Sequence, residues 1–296
     1  MRHVGGLEYS NVCLNACRHC GYLDRLGDEA GEVLPAASLV RRAEWLASLG
    51  VDTLQLVGGA RILRPLSYYL ETASAVLGVA AGLTVELFSA SEIHEVARVE
   101  GRTLMDVLVA LAEIGVRRIT GDGADVLSPE VRRALAPRKL TAGAWLHAMV
   151  EAQELGLRSS AVMVFGHFET AWDKAQHLAL LHDLQRDVAG FDAYAPQPLH
   201  AARRPGALNQ LLQAEDVWRE LAVGRMVLDS IEHVRSPYLA PLDLSTVAFV
   251  PAYGADEVEC ITLFPAGDEE PVVADVAGVE ARLSDVGWRV ARPGTD

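Results

Sequence analysis

The residues best suited to chemistry in this sequence are three cysteines near its start. Cys13, Cys17 and Cys20 follow the spacing C-x3-C-x2-C and account for three of the four cysteines in the chain. Three thiolates on one short loop can bind three irons of a four-iron, four-sulfur (4Fe–4S) cluster and leave the fourth iron without a protein ligand. The spacing therefore predicts a cluster with one open coordination site, where a second cofactor can bind.

Zinc, a disulfide and ordinary buried thiols are the alternatives for these cysteines. A structural zinc site usually takes four ligands in two pairs, but the fourth cysteine, Cys260, lies far downstream, and His19 is directly adjacent to Cys20. Three crowded cysteines without a secretory signal do not suggest disulfides. A zinc-binding barrel hydrolase stays open as an alternative, which metal analysis would separate from an iron–sulfur protein.

The cysteine loop follows the apolar run Leu7–Val12, predicted as a strand, and precedes the aromatic residue Tyr22. This arrangement resembles the signature of the radical S-adenosylmethionine (radical SAM) superfamily. The resemblance implies that Cys13, Cys17 and Cys20 bind a 4Fe–4S cluster and that SAM chelates the open iron. It also implies that one electron cleaves SAM to a 5′-deoxyadenosyl radical, and that Tyr22 lies near the adenine.

Further candidates for SAM binding follow predicted strands. Glycines let the backbone approach a ligand closely, and by resemblance Gly58 and Gly59 meet the methionyl amino group of SAM. Asp125 can hold the ribose diol with its carboxylate, or it can belong to a turn that caps the next helix. Ser89 and Glu92 can contact SAM, or they can cap the helix that follows. Both interpretations stay open for these polar residues.

Three residues are candidates for catalysis on the substrate side. His167 and Glu169 place an imidazole and a carboxylate two positions apart after a predicted strand, and histidine can move protons near neutral pH. His200 follows the next predicted strand. The alternative for His167 is a buried histidine whose hydrogen bonds are satisfied within the core.

Four longer segments carry a narrower resemblance. They are GADVLS from Gly123, SAVMVFGHFET from Ser160, GFDAY from Gly190 and YGAD from Tyr253. They resemble the radical SAM group that includes aminofutalosine synthase, dehypoxanthine futalosine cyclase and the tyrosine-using subunit of FO synthase. The first two enzymes belong to the futalosine route to menaquinone, and the third belongs to deazaflavin assembly.

The resemblance implies a radical SAM enzyme of menaquinone biosynthesis. In the synthase, the adenosyl radical adds to the enol-ether double bond of a carboxyvinyloxy-benzoate, and a synthase-like addition is the favoured prediction. A cyclase-like reaction, an FO-synthase-like reaction and a divergent non-catalytic paralogue are the alternatives. The resemblance also implies a small-molecule substrate and a reductant such as flavodoxin or ferredoxin.

Two departures from that group fall close to its motifs. The residue before the last cysteine is usually aromatic in the group, whereas this sequence has His19. The turn that usually contains Gly-Gly-Gly-Ala-Glu instead contains Gly-Asp-Gly-Ala-Asp, which ends at Asp125. The cluster cysteines are intact, so these departures predict retained SAM chemistry beside an altered pocket.

Strand-like and helix-like runs alternate along the chain, which argues for parallel strands joined by crossover helices. Six or more such units favour an α/β fold of the (β/α) TIM-like barrel type, complete or partly open, as in radical SAM enzymes. We predict that residues 1–264 form this barrel and that residues 265–296 form a helical tail packed on it. In such barrels the active site lies at the carboxyl ends of the strands.

Composition limits the partners and the location. The chain has 296 residues, of which 50% are hydrophobic, and a formal net charge of −14. An acidic chain repels nucleic acids and anionic membranes, so neither is an expected partner. The amino-terminal residues lack the apolar core of a signal peptide, and the apolar stretch Leu66–Leu83 carries Glu71 and two tyrosines. We therefore expect a cytoplasmic protein.

Overall fold

Eight parallel strands form the core of the protein. The computed structural model describes residues 1–13, 15, 17–20, 32–60, 62, 64–199, 212–237, 247–263, 272–273 and 276–288. The barrel strands are β1 (Arg2–Glu8), β2 (Thr53–Val57), β3 (Thr84–Leu87), β4 (Arg118–Ile119), β5 (Arg158–Phe165), β6 (Phe191–Pro198), β7 (His233–Ser236) and β8 (Glu257–Leu263). Their order in the sheet is β3-β2-β1-β8-β7-β6-β5-β4, and each neighbouring pair is parallel.

The two ends of this sheet meet just beyond β3 and β4. Ser89 and Thr120 form a parallel bridge, and the Thr120 amide donates a hydrogen bond of 2.9 Å to the Phe88 carbonyl. The strands therefore close into a nearly complete barrel. The prediction of a (β/α) barrel is confirmed.

Helices surround the barrel and connect its strands. They are α1 (Ala36–Ser48), α2 (Leu66–Val79), α3 (Ala90–Glu100), α4 (Leu104–Glu113), α5 (Pro129–Leu135), α6 (Ala142–Glu154), α7 (Ala171–Val188), α8 (Ala214–Val227) and α9 (Val276–Asp285), with a 3₁₀ helix at Val247–Tyr253. Local sequence explains several boundaries: Ser89, Thr103 and Thr170 each begin a helix with a capping box, which satisfies amide groups that a helix leaves unpaired. None of the helices in the described ranges is both long and apolar enough to span a membrane.

The prediction for the first strand has the wrong bounds. The sheet residues are Arg2–Glu8, not Leu7–Val12. Gly5 resembles a turn residue in the sequence, but the structure explains it by packing, since a Cβ there would lie 3.2 Å from both Leu46 and Val51. The chain leaves the sheet after Glu8, so the cysteine loop has room to fold across the end of the barrel.

The carboxyl-terminal region adds to the barrel. The short strand β9 (Val272–Val273) pairs with β8 in the antiparallel direction. In α9, Val279 and Leu283 are fully buried against the main core. A division at residue 264 into a barrel and a packed tail stays a prediction.

A buried charge network crosses the barrel interior. The Arg235 guanidinium on β7 donates to both carboxylate oxygens of Glu86 on β3, at 2.7 and 3.2 Å, and to Glu257 on β8 at 3.0 Å. All three side chains are fully buried. Since β3 is not adjacent to β7 in the sheet, these bonds tie opposite sides of the barrel together.

Candidate active site

The three motif cysteines lie beside one cavity at the carboxyl ends of the strands. The cavity has a volume of about 280 Å³, and Cys13, Cys17 and Cys20 all contribute to its wall. Cys13 and Cys17 are buried, Cys20 is partly exposed, and disulfide bonds do not link these three described cysteines. The barrel thus brings the three predicted cluster ligands together at the end where barrel enzymes hold their active sites.

The chemistry of these thiols fits a cluster site. Burial raises the pKa of the Cys17 thiol to about 11 and also raises the pKa of Cys13. A buried thiolate therefore needs positive partners, which the irons of a cluster supply. Among the described residues, no three His, Cys, Asp or Glu side chains converge on a point that would hold one metal ion. A cluster does not require such convergence, because each cysteine binds a different iron.

The Gly58–Gly59 pair allows the cysteine loop to pack against the end of β2. A Cβ at Gly59 would lie 1.7 Å from the Val12 carbonyl oxygen and 2.8 Å from the Cys13 Cβ. A Cβ at Gly58 would lie 2.5 Å from the Tyr9 ring. Both glycines also contribute to the cavity wall. Close packing of the loop therefore explains the pair, and their contact with SAM stays a prediction.

Replacing Gly59 with alanine should displace the cysteine loop. The added methyl overlaps backbone atoms that cannot move independently of Cys13, so we expect the unfolding free energy to fall by roughly 1–3 kcal/mol and iron content after reconstitution to fall with it. Gly78→Ala is the control, because Gly78 lies within α2 and a Cβ there meets nothing within 4 Å. That variant should gain about 1 kcal/mol. Equal iron content and stability in Gly59→Ala and wild type would contradict this account.

Asp125 is an ionised carboxylate at the centre of a polar network. Its oxygens lie 2.8 and 3.1 Å from Lys139 Nζ, 3.3 Å from His19 Nε2 and 3.8 Å from Arg132. Burial opposes ionisation, but Lys139, His19 and Arg132 hold the pKa of Asp125 well below its usual value. Asp125 borders the cavity, whereas the residue that caps α5 is Ser128. The helix-capping interpretation of Asp125 is therefore wrong.

Sequence reasoning missed Lys139 and Arg132. Arg132 lies within α5 and donates to the carbonyl oxygens of Gly123 and Leu140, each at 3.1 Å, so it fixes the turn that carries Asp125. Both residues lie in a polar stretch of sequence that resembles an exposed helix end, so neither stood out as a buried cation. Asp125 could have pointed to them, because a carboxylate in a buried turn requires a positive partner.

Ser89 and Glu92 form the capping box of α3. The Glu92 carboxylate accepts from the Ser89 amide at 2.6 Å, and Ser89 Oγ accepts from the Glu92 amide at 3.4 Å. Tyr9 donates its hydroxyl to the other oxygen of Glu92. The structure thus supports the capping interpretation. Both residues also border the cavity, and a contact between Ser89 and SAM stays a prediction.

Glu92 should make stability depend on pH. Burial raises the pKa of Glu92 to about 7, so the folded protein retains a proton that the unfolded chain releases near its ordinary pKa of 4.5. The resulting stabilisation is complete below about pH 4.5 and is lost as the pH rises to about 7. Glu92→Gln keeps the hydrogen-bonding shape without the titration. As the pH rises from about 4.5 to about 7, wild type should therefore lose unfolding free energy relative to Glu92→Gln. A difference between the two proteins that stays constant over this range would contradict the assignment.

Of the three candidate catalytic residues, the structure describes His167 and Glu169. His167 and Glu169 fold back on each other in the turn after β5: the carboxylate lies 2.9 Å from His167 Nδ1, and it accepts from the Gly166 amide at 2.7 Å. His167 Nε2 lies 3.1 Å from the Val164 carbonyl oxygen. Neither is among the described residues that border the cavity. Their catalytic role stays a prediction, and the candidates Tyr22 and His200 lie outside the described residues.

The deeper part of the cavity is acidic. Glu8 from β1, Glu259 from β8 and Asp122 after β4 border it, together with the amides of Gln55 and Gln197. Gln197 donates to Glu259, and Gln55 donates to Asp122 at 3.4 Å. Burial raises the pKa of Asp122. Sequence reasoning missed Glu8 and Glu259 because they border the cavity from within strands rather than from loops, whereas Asp122 belongs to the Gly-Asp-Gly-Ala-Asp turn that the sequence already indicated.

The sequence matches one protein family and several known proteins. A family model described as the radical SAM superfamily matches residues 7–181. The chain is 30% identical to 5-amino-6-(D-ribitylamino)uracil–L-tyrosine 4-hydroxyphenyl transferase of Methanospirillum hungatei, over 85% of this chain and 70% of the relative. It is also 30% identical to aminodeoxyfutalosine synthase of Thermus thermophilus, over 82% of this chain and 68% of the relative. The match to FO synthase of Mycobacterium tuberculosis is 31% over 68% of this chain but 24% of that protein.

Solved structures share the fold at low sequence identity. The FeFe-hydrogenase maturase HydG from Carboxydothermus hydrogenoformans has a TM-score of 0.76 at 15% identity, over 97% of this chain and 67% of that chain. Methylornithine synthase (PylB) has a TM-score of 0.72 at 15% identity, over 98% of this chain and 83% of that chain. These similarities support the barrel.

Proposed function

This chain belongs to the radical SAM superfamily, and on that premise we propose that Cys13, Cys17 and Cys20 hold the cluster from which its reaction starts. It is a radical SAM enzyme related to aminodeoxyfutalosine synthase and FO synthase, and its cofactors are a 4Fe–4S cluster and SAM. When bound, they supply a 5′-deoxyadenosyl radical through reductive cleavage of SAM. The single observation that carries the cluster assignment is that the three motif cysteines border one cavity.

The residues around the cysteines prepare the site for charged cofactors. Lys139 and Arg132 lower the pKa of Cys17 against the effect of burial, so they favour the thiolate form that binds iron. Gly58 and Gly59 keep the loop close to β2. We propose that Asp125 and Ser89, on the cavity wall, face the bound SAM, and that Tyr22 lies near its adenine.

The first candidate reaction is the one catalysed by aminofutalosine synthase. We propose a radical addition to an enol-ether substrate in menaquinone biosynthesis, with His167, Glu169 and His200 on the substrate side. The support is 30% identity to aminodeoxyfutalosine synthase over 82% of the chain, together with the Gly-His-x-Glu-Thr segment after β5. We also propose that a reductant such as flavodoxin or ferredoxin supplies the electron and that the protein is cytoplasmic.

The acidic cavity favours a second candidate. Glu8, Glu259 and Asp122 border the interior, and among the described cavity residues the one lysine pairs with Asp125. A benzoate substrate would meet repulsion from these carboxylates, whereas a substrate rich in amino and hydroxyl donors would be attracted. The transferase relative is named for such a compound, 5-amino-6-(D-ribitylamino)uracil, and for tyrosine.

A substrate panel separates the candidates. The protein is reconstituted with iron and sulfide without oxygen, reduced, and incubated with SAM and with carboxyvinyloxy-benzoate, dehypoxanthine futalosine, or tyrosine plus 5-amino-6-(D-ribitylamino)uracil. Mass spectrometry identifies the product. An adenosylated product from the benzoate would support the first candidate, and a product that joins the 4-hydroxyphenyl part of tyrosine to the uracil would support the second. A reduced, cluster-loaded protein that leaves SAM uncleaved would refute both and favour a non-catalytic paralogue.

A further inference from the structure

A histidine of the cysteine loop contacts the carboxylate of the turn after β4. In the folded chain, His19 Nε2 lies 3.3 Å from Asp125 Oδ1. The two positions are far apart in sequence, one on the cysteine loop and the other after β4. Their contact therefore joins the cysteine loop to that turn.

Asp125 holds an unusual backbone conformation to make this contact. Its φ angle is 48°, in the left-handed region that non-glycine residues rarely adopt. Such a conformation persists where surrounding contacts fix it. Here the Asp125 carbonyl accepts from the Val164 amide at 2.9 Å, and its carboxylate pairs with Lys139 and His19. The turn is therefore fixed from the barrel side and from the cysteine loop.

The cysteine loop has a second attachment to the same region. The Arg18 amide donates a hydrogen bond of 2.8 Å to the Leu135 carbonyl at the end of α5. His19 follows directly and reaches Asp125, with its side chain 11% exposed. Arg18 and His19 both lie between the cluster ligands Cys17 and Cys20, so contacts at these two residues set where the last two thiols stand.

We propose that His19 and Asp125 act as one positioning pair, which attaches the cysteine loop to the turn after β4. The imidazole needs the shorter carboxylate, because a glutamate would extend one methylene further into the space that His19 occupies. The aspartate needs the imidazole, because Lys139 alone does not attach it to the cysteine loop. This inference rests on the proposed assignment of the cluster to Cys13, Cys17 and Cys20.

A double-mutant cycle tests the pair. The variants are His19→Phe, Asp125→Glu and the combination of both. The rate of iron loss from the reconstituted protein to a chelator is measured for each. Each single substitution should speed iron loss about tenfold, and the double variant should lose iron no faster than the single variants, because both substitutions remove the same contact. Effects that multiply in the double variant, or a His19→Phe variant that matches wild type, would overturn the proposal.

Measurements on the cluster-free protein separate this inference from the cluster assignment. Hydrogen–deuterium exchange of the peptide that contains residues 17–20 should speed up in each single variant and speed up no further in the double variant. If wild type retains no iron but shows this coupling, the cluster assignment fails and the pair stands. If wild type retains iron but neither measurement shows coupling, the pair fails alone.

The control is a second histidine–carboxylate pair on the outer surface. His147 and Glu151 on α6 lie 3.2 Å apart, and the His147 side chain is 68% exposed. His147→Phe and Glu151→Asp should leave iron loss and exchange at residues 17–20 unchanged. Should Asp125→Glu not fold, as judged by circular dichroism, the cycle is run with Asp125→Asn, which keeps the side-chain size and weakens the attraction to His19.

Discussion

Replacing Cys17 with alanine should abolish SAM cleavage. The side chain is 4% exposed and lies between the other two thiols in sequence, so its loss leaves only two of the three cluster ligands. We expect a reconstituted Cys17→Ala protein to lack the visible absorption of a 4Fe–4S cluster and to release 5′-deoxyadenosine only at the level of a control without enzyme. The measurements are iron and sulfide per chain and product formation after reduction.

The fourth cysteine provides the matched control for this prediction. Cys260 belongs to β8 rather than to the motif, so Cys260→Ala should retain the iron, the sulfide and the SAM cleavage of wild type. A Cys17→Ala protein that kept both its cluster and its turnover would refute the three-cysteine assignment. Loss of the cluster in both variants would instead mean that ligation is not confined to the motif loop.

Much of this site follows from local sequence signals. The three cysteines and the Gly58–Gly59 pair sit at predicted strand ends, and the structure brings all five to one cavity. Turn glycines, helix-capping residues and the alternation of strands and helices can be predicted from neighbouring residues alone, so these predictions do not require knowledge of the tertiary fold. For the same reason local signals mark the start of α5 at Pro129 and the end of β5 before Gly166.

Contacts between distant residues could not be predicted in this way. The pairing of Asp125 with Lys139 and His19 depends on how the α5–α6 connection and the cysteine loop fold over one turn. The acidic interior was also missed, because Glu8 and Glu259 come from strands that lie side by side only after the barrel closes. Sequence shows which side chains are available, and closure of the barrel decides which of them face the substrate.

Barrel closure itself depends on the buried Arg235, and Arg235→Leu should be the most destabilising single change outside the site. Removing the guanidinium leaves the buried Glu86 with the more distant Arg118, at 3.6 Å, and the buried Glu257 with Arg2, at 3.1 Å. The loss of one partner from a buried ion pair typically costs about 3–5 kcal/mol. We expect a loss of that size in the unfolding free energy of the cluster-free protein, measured by urea denaturation.

The pH dependence and a surface control distinguish lost charge pairing from lost packing. Burial opposes ionisation of Glu86, but Arg235 holds its pKa below the usual value in wild type. Without Arg235 that pKa should rise, so Glu86 takes up a proton at acidic pH and the deficit of Arg235→Leu shrinks as the pH falls. Arg219→Leu breaks an exposed pair with Asp216, 2.9 Å apart, and should cost at most about 1 kcal/mol. A deficit in Arg235→Leu that is equal at all pH values would indicate that the side chain acts through packing, and that opposite sides of the barrel are not held together by charge.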